Sequence, residues 1–157
     1  MKRDVRILLH DIRSVYNVGA IFRTADAIGV AKIYLGGYSP LPVDRFGVHR
    51  PDFSKAALGS EKTVVWESVK TPSSLIARLK KEGFVVVSVE QDGTSVDYKK
   101  VKIGKKVLVV FGNEVSGISK SVLRKSDVVA EIPMNGKKES LNISVSAGIV
   151  LYRWFDK

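Results

Sequence analysis

Three short stretches of this chain hold residue types suited to chemistry rather than packing. The first runs His10-Asp11-Ile12-Arg13-Ser14-Val15-Tyr16-Asn17-Val18-Gly19 and leads on to Arg23. Asn17 can cap a helix. Gly19 leaves room for another backbone to come close. Arg23 follows Asn17 by less than two helical turns and can project toward the same loop. The second stretch is Phe111-Gly112-Asn113-Glu114-Val115-Ser116-Gly117. Gly112 lacks a Cβ where a flat ligand could approach, and Glu114 can accept hydrogen bonds from a ligand or an Arg. The plain alternative is a tight turn with a solvated Glu. The third is Ile132-Pro133-Met134-Asn135-Gly136, followed by Ser140-Leu141-Asn142. Ser140 or Asn142 can cap a helix there, or the free N–H groups of that helix can hold a ligand's polar edge.

Composition removes several other chemistries. The chain has no cysteine and only His10 and His49. Thiolate nucleophiles, cysteine-ligated zinc or iron–sulfur sites and His-rich metal sites are excluded, so no metal is expected. No G-x-G-x-x-G follows the first apolar run and no P-loop is present. No apolar run approaches the ~18 residues of a membrane span, and the N-terminus lacks a signal-peptide core. The expectation is a soluble, cytoplasmic protein without a membrane partner. Hydrophobic residues at 45% and charged residues at 27% describe a globular chain, and 157 residues suit one domain, 1–157. A net charge of +10 points to an anionic partner, most often nucleic acid. Lys99, Lys100, Lys102, Lys105 and Lys106 crowd one predicted loop, and Lys137 and Lys138 another.

Short apolar runs alternate with helical spacing and position these stretches. Strands are predicted at 5–9, 31–35, 63–67, 84–89, 106–111 and 128–132. Val18, Ile21, Phe22, Ala25 and Ile28 recur at helical spacing before Gly29, a natural stop. A short helix is predicted at 51–58 ahead of Gly59. Thr71-Pro72 reads as a cap and first turn, with Gly83 as the end of that helix. Another short helix is predicted at 119–124. The last helix has two apolar stripes: Leu141, Val145, Gly148, Tyr152 and Phe155, and Ile143, Ala147, Val150 and Trp154. One stripe suffices for a single packing face, so the second suits either a deep burial or a partner subunit. The fold class expected is α/β with a mostly parallel sheet flanked by helices. In such sheets ligands sit beyond the carboxyl ends of the strands, where all three stretches fall.

Taken in order, the three stretches resemble the SpoU/TrmH class of SPOUT RNA methyltransferases. Asn17, Gly19 and Arg23 resemble its first motif. Gly112, Asn113 and Glu114 resemble its Gly-Asn-Glu motif. Ile132, Pro133, Met134, Ser140, Leu141, Asn142 and Ser144 resemble its third. Val115 and Ser116 depart from the Gly and Glu common there. The resemblance implies a SPOUT-type α/β knot, with a deep C-terminal trefoil, and a homodimer. It implies S-adenosylmethionine as cofactor, bound at Val89, Gly112, Ile132, Met134, Ser140 and Leu141. It implies methyl transfer to a ribose 2′-hydroxyl of tRNA or rRNA, with Arg23, Asn17, Glu114 and Asn142 as the catalytic set. Arg23 would act across the dimer interface as base or as a charged stabiliser, with Glu114 orienting Arg23 or the RNA. The first motif starts near residue 10, so the N-terminal RNA-binding extension of many relatives is not expected. Tyr16, Tyr38, Phe46, His49 and Arg50 are then loop candidates for stacking or contacting bases, or for packing the long loop. A non-catalytic basic RNA-binding protein of the same fold and a base-methylating SPOUT enzyme are the competing readings.

Overall fold

The computed structural model describes residues 3–155. The elements run β1 (Asp4–His10), α1 (Val15–Ile28), β2 (Lys32–Gly36), α2 (Pro51–Ala57), α3 (Ser60–Thr63), β3 (Trp66–Val69), α4 (Pro72–Lys81), β4 (Val85–Val89), β5 (Val96–Asp97), β6 (Lys106–Phe111), α5 (Lys120–Leu123), β7 (Val128–Glu131) and α6 (Ile143–Phe155). A single turn of 3-10 helix, Tyr98–Lys100, separates β5 from β6. The strands form one sheet in the order β3-β2-β1-β6-β4-β7-β5. Every adjacent pair is parallel.

A parallel sheet must be covered on both faces, and β6 shows the consequence. Val107, Val109 and Phe111 pack on one side with α1, α2 and α6. Leu108 and Val110 pack on the other with Leu75, Ile76 and Leu79 of α4. An uninterrupted apolar run is what such a strand requires. On the first face Phe22 and Phe53 meet edge to face at 5.2 Å. Two fully buried Phe side chains contribute about 1.5–3 kcal/mol each. That contact holds α2, which at seven residues is too short to stand alone. Gly19 makes the approach possible: a Cβ there would lie 2.5 Å from Ala56 Cβ and 2.9 Å from backbone atoms of Ala56 and Ala57.

Helix ends match the sequence with informative exceptions. Gly29 ends α1 at φ 80°, where its N–H bonds to the Ala25 and Asp26 carbonyls. The α1 cap is Ser14, whose hydroxyl accepts from the Asn17 N–H, so the Asn17 side chain is released from capping. Thr71 holds the cap position of α4 but its side chain makes no capping bond. The third strand begins at Trp66 rather than at 63, because Thr63 still belongs to α3 and its hydroxyl bonds to Asp26. The stretch read as one lysine-rich loop contains β5 and the 3-10 turn. These are short polar elements without apolar periodicity, and the sheet edge organises them. Lys106 is not free there: its ammonium donates to the Glu82 carbonyl at 3.0 Å and lies over the Phe84 ring.

The terminal helix starts at Ile143, so Leu141 precedes it. Ala147, Val150 and Trp154 of one stripe are buried; of the other, Phe155 is buried while Val145 and Tyr152 are exposed.

Candidate active site

Sheet order explains how stretches about a hundred residues apart meet. β1 lies beside β6, so the loop after His10 and the loop after Phe111 emerge side by side. β4 and β7 follow next in the sheet, bringing in the ends at Val89 and Glu131. A cavity of about 330 Å³ opens at these carboxyl ends. Val89, Gly112, Ile132, Met134, Ser140 and Leu141 all line it, as do Glu114 and Asn142.

A hydrogen-bonded chain along one side joins all three stretches. One oxygen of Glu114 accepts from the Arg13 N–H at 3.0 Å. The other accepts from the Ser14 N–H at 3.3 Å and from the Asn17 amide at 3.0 Å. The Asn17 carbonyl oxygen accepts from the Asn142 amide at 3.2 Å. Asn142 in turn caps α6, its oxygen accepting from the Ser144 N–H and hydroxyl at 2.9 and 2.6 Å. The donor and acceptor sense is therefore set from Glu114 to Ser144. Partial burial raises the Glu114 carboxyl. The donors from Arg13 and Asn17, its own N–H and that of Ser14 outweigh this and hold it below the usual carboxylate range.

Asn113 fixes the same corner from below. It is 7% exposed and uses both polar atoms of its side chain. Its amide donates to the Asp11 carbonyl and to the Tyr38 hydroxyl, both at 2.8 Å. Its oxygen accepts from the Val115 and Ser116 N–H groups, both at 2.8 Å. Gly112 lines the cavity, yet its missing Cβ serves the chain itself. A Cβ there would lie 2.5 Å from the Ile118 nitrogen and 2.7 Å from the Gly117 carbonyl carbon. The glycine lets the loop fold back tightly on Ile118.

Arg23 stands apart. It is exposed on α1 and is absent from the cavity wall. Glu114 bonds to Asn17 and the first loop, with no bond to Arg23. Sequence reasoning assigned no role to Glu90, Gln91 and Glu131, which also line the cavity. Their signal was positional: Glu90 and Gln91 directly follow β4, and Glu131 ends β7. Glu90 accepts from the Ile118 N–H at 2.8 Å, tying the β4 end to the Gly-Asn-Glu loop.

An open parallel sheet, a mixed polar and apolar cavity beyond its strand ends and no phosphate-binding glycine loop define an α/β protein built to bind a small ligand at its sheet crevice. The family model described as the SpoU rRNA Methylase family matches residues 4–152, and the chain belongs to that family. It is 31% identical over 157 residues to a tRNA (guanosine(18)-2′-O)-methyltransferase of Aquifex aeolicus, covering 96% of this chain and 68% of that protein. It spans 59–63% of the length of seven further curated relatives. Among solved structures, the A. aeolicus TrmH/SpoU tRNA modifying enzyme matches with a TM-score of 0.85 at 30% identity, covering 97% of this chain and 74% of that one. An AdoMet-bound rRNA methyltransferase from Sinorhizobium meliloti matches with a TM-score of 0.85 at 28% identity, covering 98% of this chain and 56% of that one.

Proposed function

We propose that this protein is an S-adenosylmethionine-dependent RNA methyltransferase that acts on a ribose 2′-hydroxyl of tRNA or rRNA. The observation that carries the reading is the hydrogen-bonded chain Glu114–Asn17–Asn142–Ser144. It joins the three family motifs, and the second and third of them line one ligand-sized cavity.

The cavity suits the cofactor. Its volume falls within the range for small-ligand sites, roughly 300–1,000 Å³. Val89, Ile132, Met134 and Leu141 supply apolar wall for a purine, and Ser140 adds a hydroxyl. The carboxylates of Glu90 and Glu131 on the same wall favour a ligand that carries positive charge. When bound, S-adenosylmethionine supplies an electrophilic methyl group. The chain must then orient the 2′-hydroxyl, help its proton leave and exclude water. Asn17 and Asn142 each retain an amide N–H beyond the network to hold the ribose, and Glu114 is a positioning residue for both. The Arg23 guanidinium stabilises the developing alkoxide or its phosphate.

The active unit in this reading is a homodimer, in which Arg23 serves the partner's site. Its position outside the cavity wall of a single chain supports that, as do the exposed Val145 and Tyr152 of α6. The reading takes 1–157 as one methyltransferase domain at work on cytoplasmic RNA. No helix among the described residues is long and apolar enough to cross a membrane. A trefoil knot belongs to the same reading. The return of α6 from the β7 side of the sheet to pack on α1 supports it, with Asn142 bonded to Asn17.

The test is transfer of labelled methyl to bulk tRNA and to ribosomal RNA, followed by alkaline digestion. A methylated 2′-oxygen cannot attack the neighbouring phosphate, so the label should remain in alkali-resistant dinucleotides. Arg23→Ala should lose transfer by at least about 100-fold, as for other groups that stabilise transition-state charge, and keep cofactor affinity by calorimetry. Label recovered in alkali-sensitive mononucleotides would sink the ribose assignment, and a fully active Arg23→Ala would remove Arg23 from the chemistry.

A further inference from the structure

The long loop between β2 and α2 holds an aromatic ring that is exposed and yet immobilised. Tyr38 is 62% exposed. Its N–H donates to the Asp11 carboxylate at 3.1 Å. Its hydroxyl accepts from the Asn113 amide at 2.8 Å. The preceding Gly37 sits at φ 63°, and the Asp11 carboxylate fills the space a Cβ would need there. The next residue, Ser39, is buried and clamps the loop to the end of β1. Its hydroxyl donates to the Leu9 carbonyl at 2.9 Å and accepts from the Ile12 N–H at 3.0 Å. Tyr38 is thus held at its backbone, its hydroxyl and its neighbours, while most of its surface faces water. Asn113, which holds the ring, lines the cavity and adjoins Glu114.

Packing does not explain this arrangement, because the loop is fixed by Ser39 and Asp11 and the ring covers little. A pre-ordered aromatic surface binds a flat partner with little further loss of side-chain entropy. The net charge of +10 draws an anionic chain to the protein, and RNA presents flat rings once its bases are unstacked. We infer that Tyr38 is a stacking platform for an unpaired nucleobase of the RNA substrate, at or next to the nucleotide whose ribose enters the site. This rests on the proposed RNA methyltransferase reading and adds to it a residue that selects single-stranded over paired RNA. Phe46 on the same loop is a weaker candidate, since the Arg45 guanidinium already lies 4.7 Å from its ring centre.

The experiment is filter binding of labelled bulk tRNA and ribosomal RNA to the wild type, Tyr38→Leu, Tyr38→Phe and Tyr38→Trp, each over a range of salt. Cofactor affinity by calorimetry serves as the folding control. Removal of the ring in Tyr38→Leu should weaken RNA binding about 5- to 150-fold. The slope of log affinity against log salt should stay unchanged, because no phosphate contact is lost. Tyr38→Phe and Tyr38→Trp keep a stacking face and should bind close to wild type, with cofactor affinity unaltered in all three. Equal losses in Tyr38→Phe and Tyr38→Leu would overturn the inference, since the hydroxyl on Asn113 would then be what matters. So would wild-type affinity in Tyr38→Leu, or no RNA binding by the wild type. Binding needs no methyl transfer. A Tyr38-dependent affinity without alkali-resistant label would therefore defeat the enzymatic reading and leave the platform standing.

Discussion

Glu114→Gln is the sharpest perturbation of the site, because it changes no volume and reverses one polar group. The native carboxylate faces only donors: the N–H groups of Arg13 and Ser14 and the Asn17 amide. A glutamine can satisfy one side of that set. If its oxygen faces Ser14 and Asn17, its NH₂ opposes the Arg13 N–H. If it faces Arg13, its NH₂ meets Ser14 and Asn17. Rotation of the Asn17 amide gives no relief, since the Asn17 oxygen is taken by Asn142, which caps α6. Hydrogen bonds to a charged group contribute about 1.5–3 kcal/mol where water is excluded. Glu114 is exposed, so screening reduces the loss for the whole cluster to about 1–2 kcal/mol. That corresponds to a roughly 5- to 30-fold larger population of open loop. Amide exchange at Arg13 and Ser14 should accelerate by that factor, while exchange in β6 stays as in the wild type. Methyl transfer should also fall, because the Asn17 amide loses the acceptor that fixes its orientation, with cofactor affinity changed less. Native exchange rates at Arg13 and Ser14 in the variant, together with full transfer, would refute the claim that Glu114 orders this loop.

Two further outcomes follow from the same geometry. The folded-state pKa of Glu114 is depressed, so its contribution is complete above the unfolded carboxyl value of about 4.3 and is lost as pH falls through the lower folded value. The difference in melting temperature between wild type and Glu114→Gln should hold between pH 7 and about 5 and close in more acid buffer; a gap that widens on acidification would mean the sign is wrong. Gly19→Ala adds about 1 kcal/mol of helix propensity but drives a Cβ into the α2 backbone, an overpacking cost of about 1–3 kcal/mol. The contact should win, and calorimetry should find the melting temperature lowered by up to about 8 °C; a rise would show that α2 yields freely.

Much of the architecture was legible because periodicity reports burial. Val107 to Phe111 is apolar without a break since both faces of β6 are covered, and its predicted bounds, 106–111, match the strand. Elements held by their neighbours rather than by their own pattern were not legible. β5 has two residues and exists because β7 offers it an edge. β3 starts late because α3 extends to Thr63. Gly112 lines the cavity as expected, but the space its missing Cβ leaves is taken by Ile118, a long-range contact no local pattern shows.

At the site, the amino-acid sequence alone determined which residue types are present and that they fall at strand ends. Asn17, Glu114 and Asn142 could be picked out because polar side chains after buried strands are seldom needed for packing. It also determined the charge that suits an anionic substrate, and the two stripes of the last helix. Only the tertiary structure decided which partners those side chains take. Ser14 caps α1 and frees Asn17. Glu114 then finds Asn17, 97 positions away, because β1 and β6 are neighbours. It also decided that Tyr38, one loop aromatic among several, is the one held still beside the cavity. The physical reason is common to both. Chemistry is written in residue type, which is local, whereas the direction of a hydrogen bond depends on which strands lie side by side, and that is settled only when the whole sheet forms.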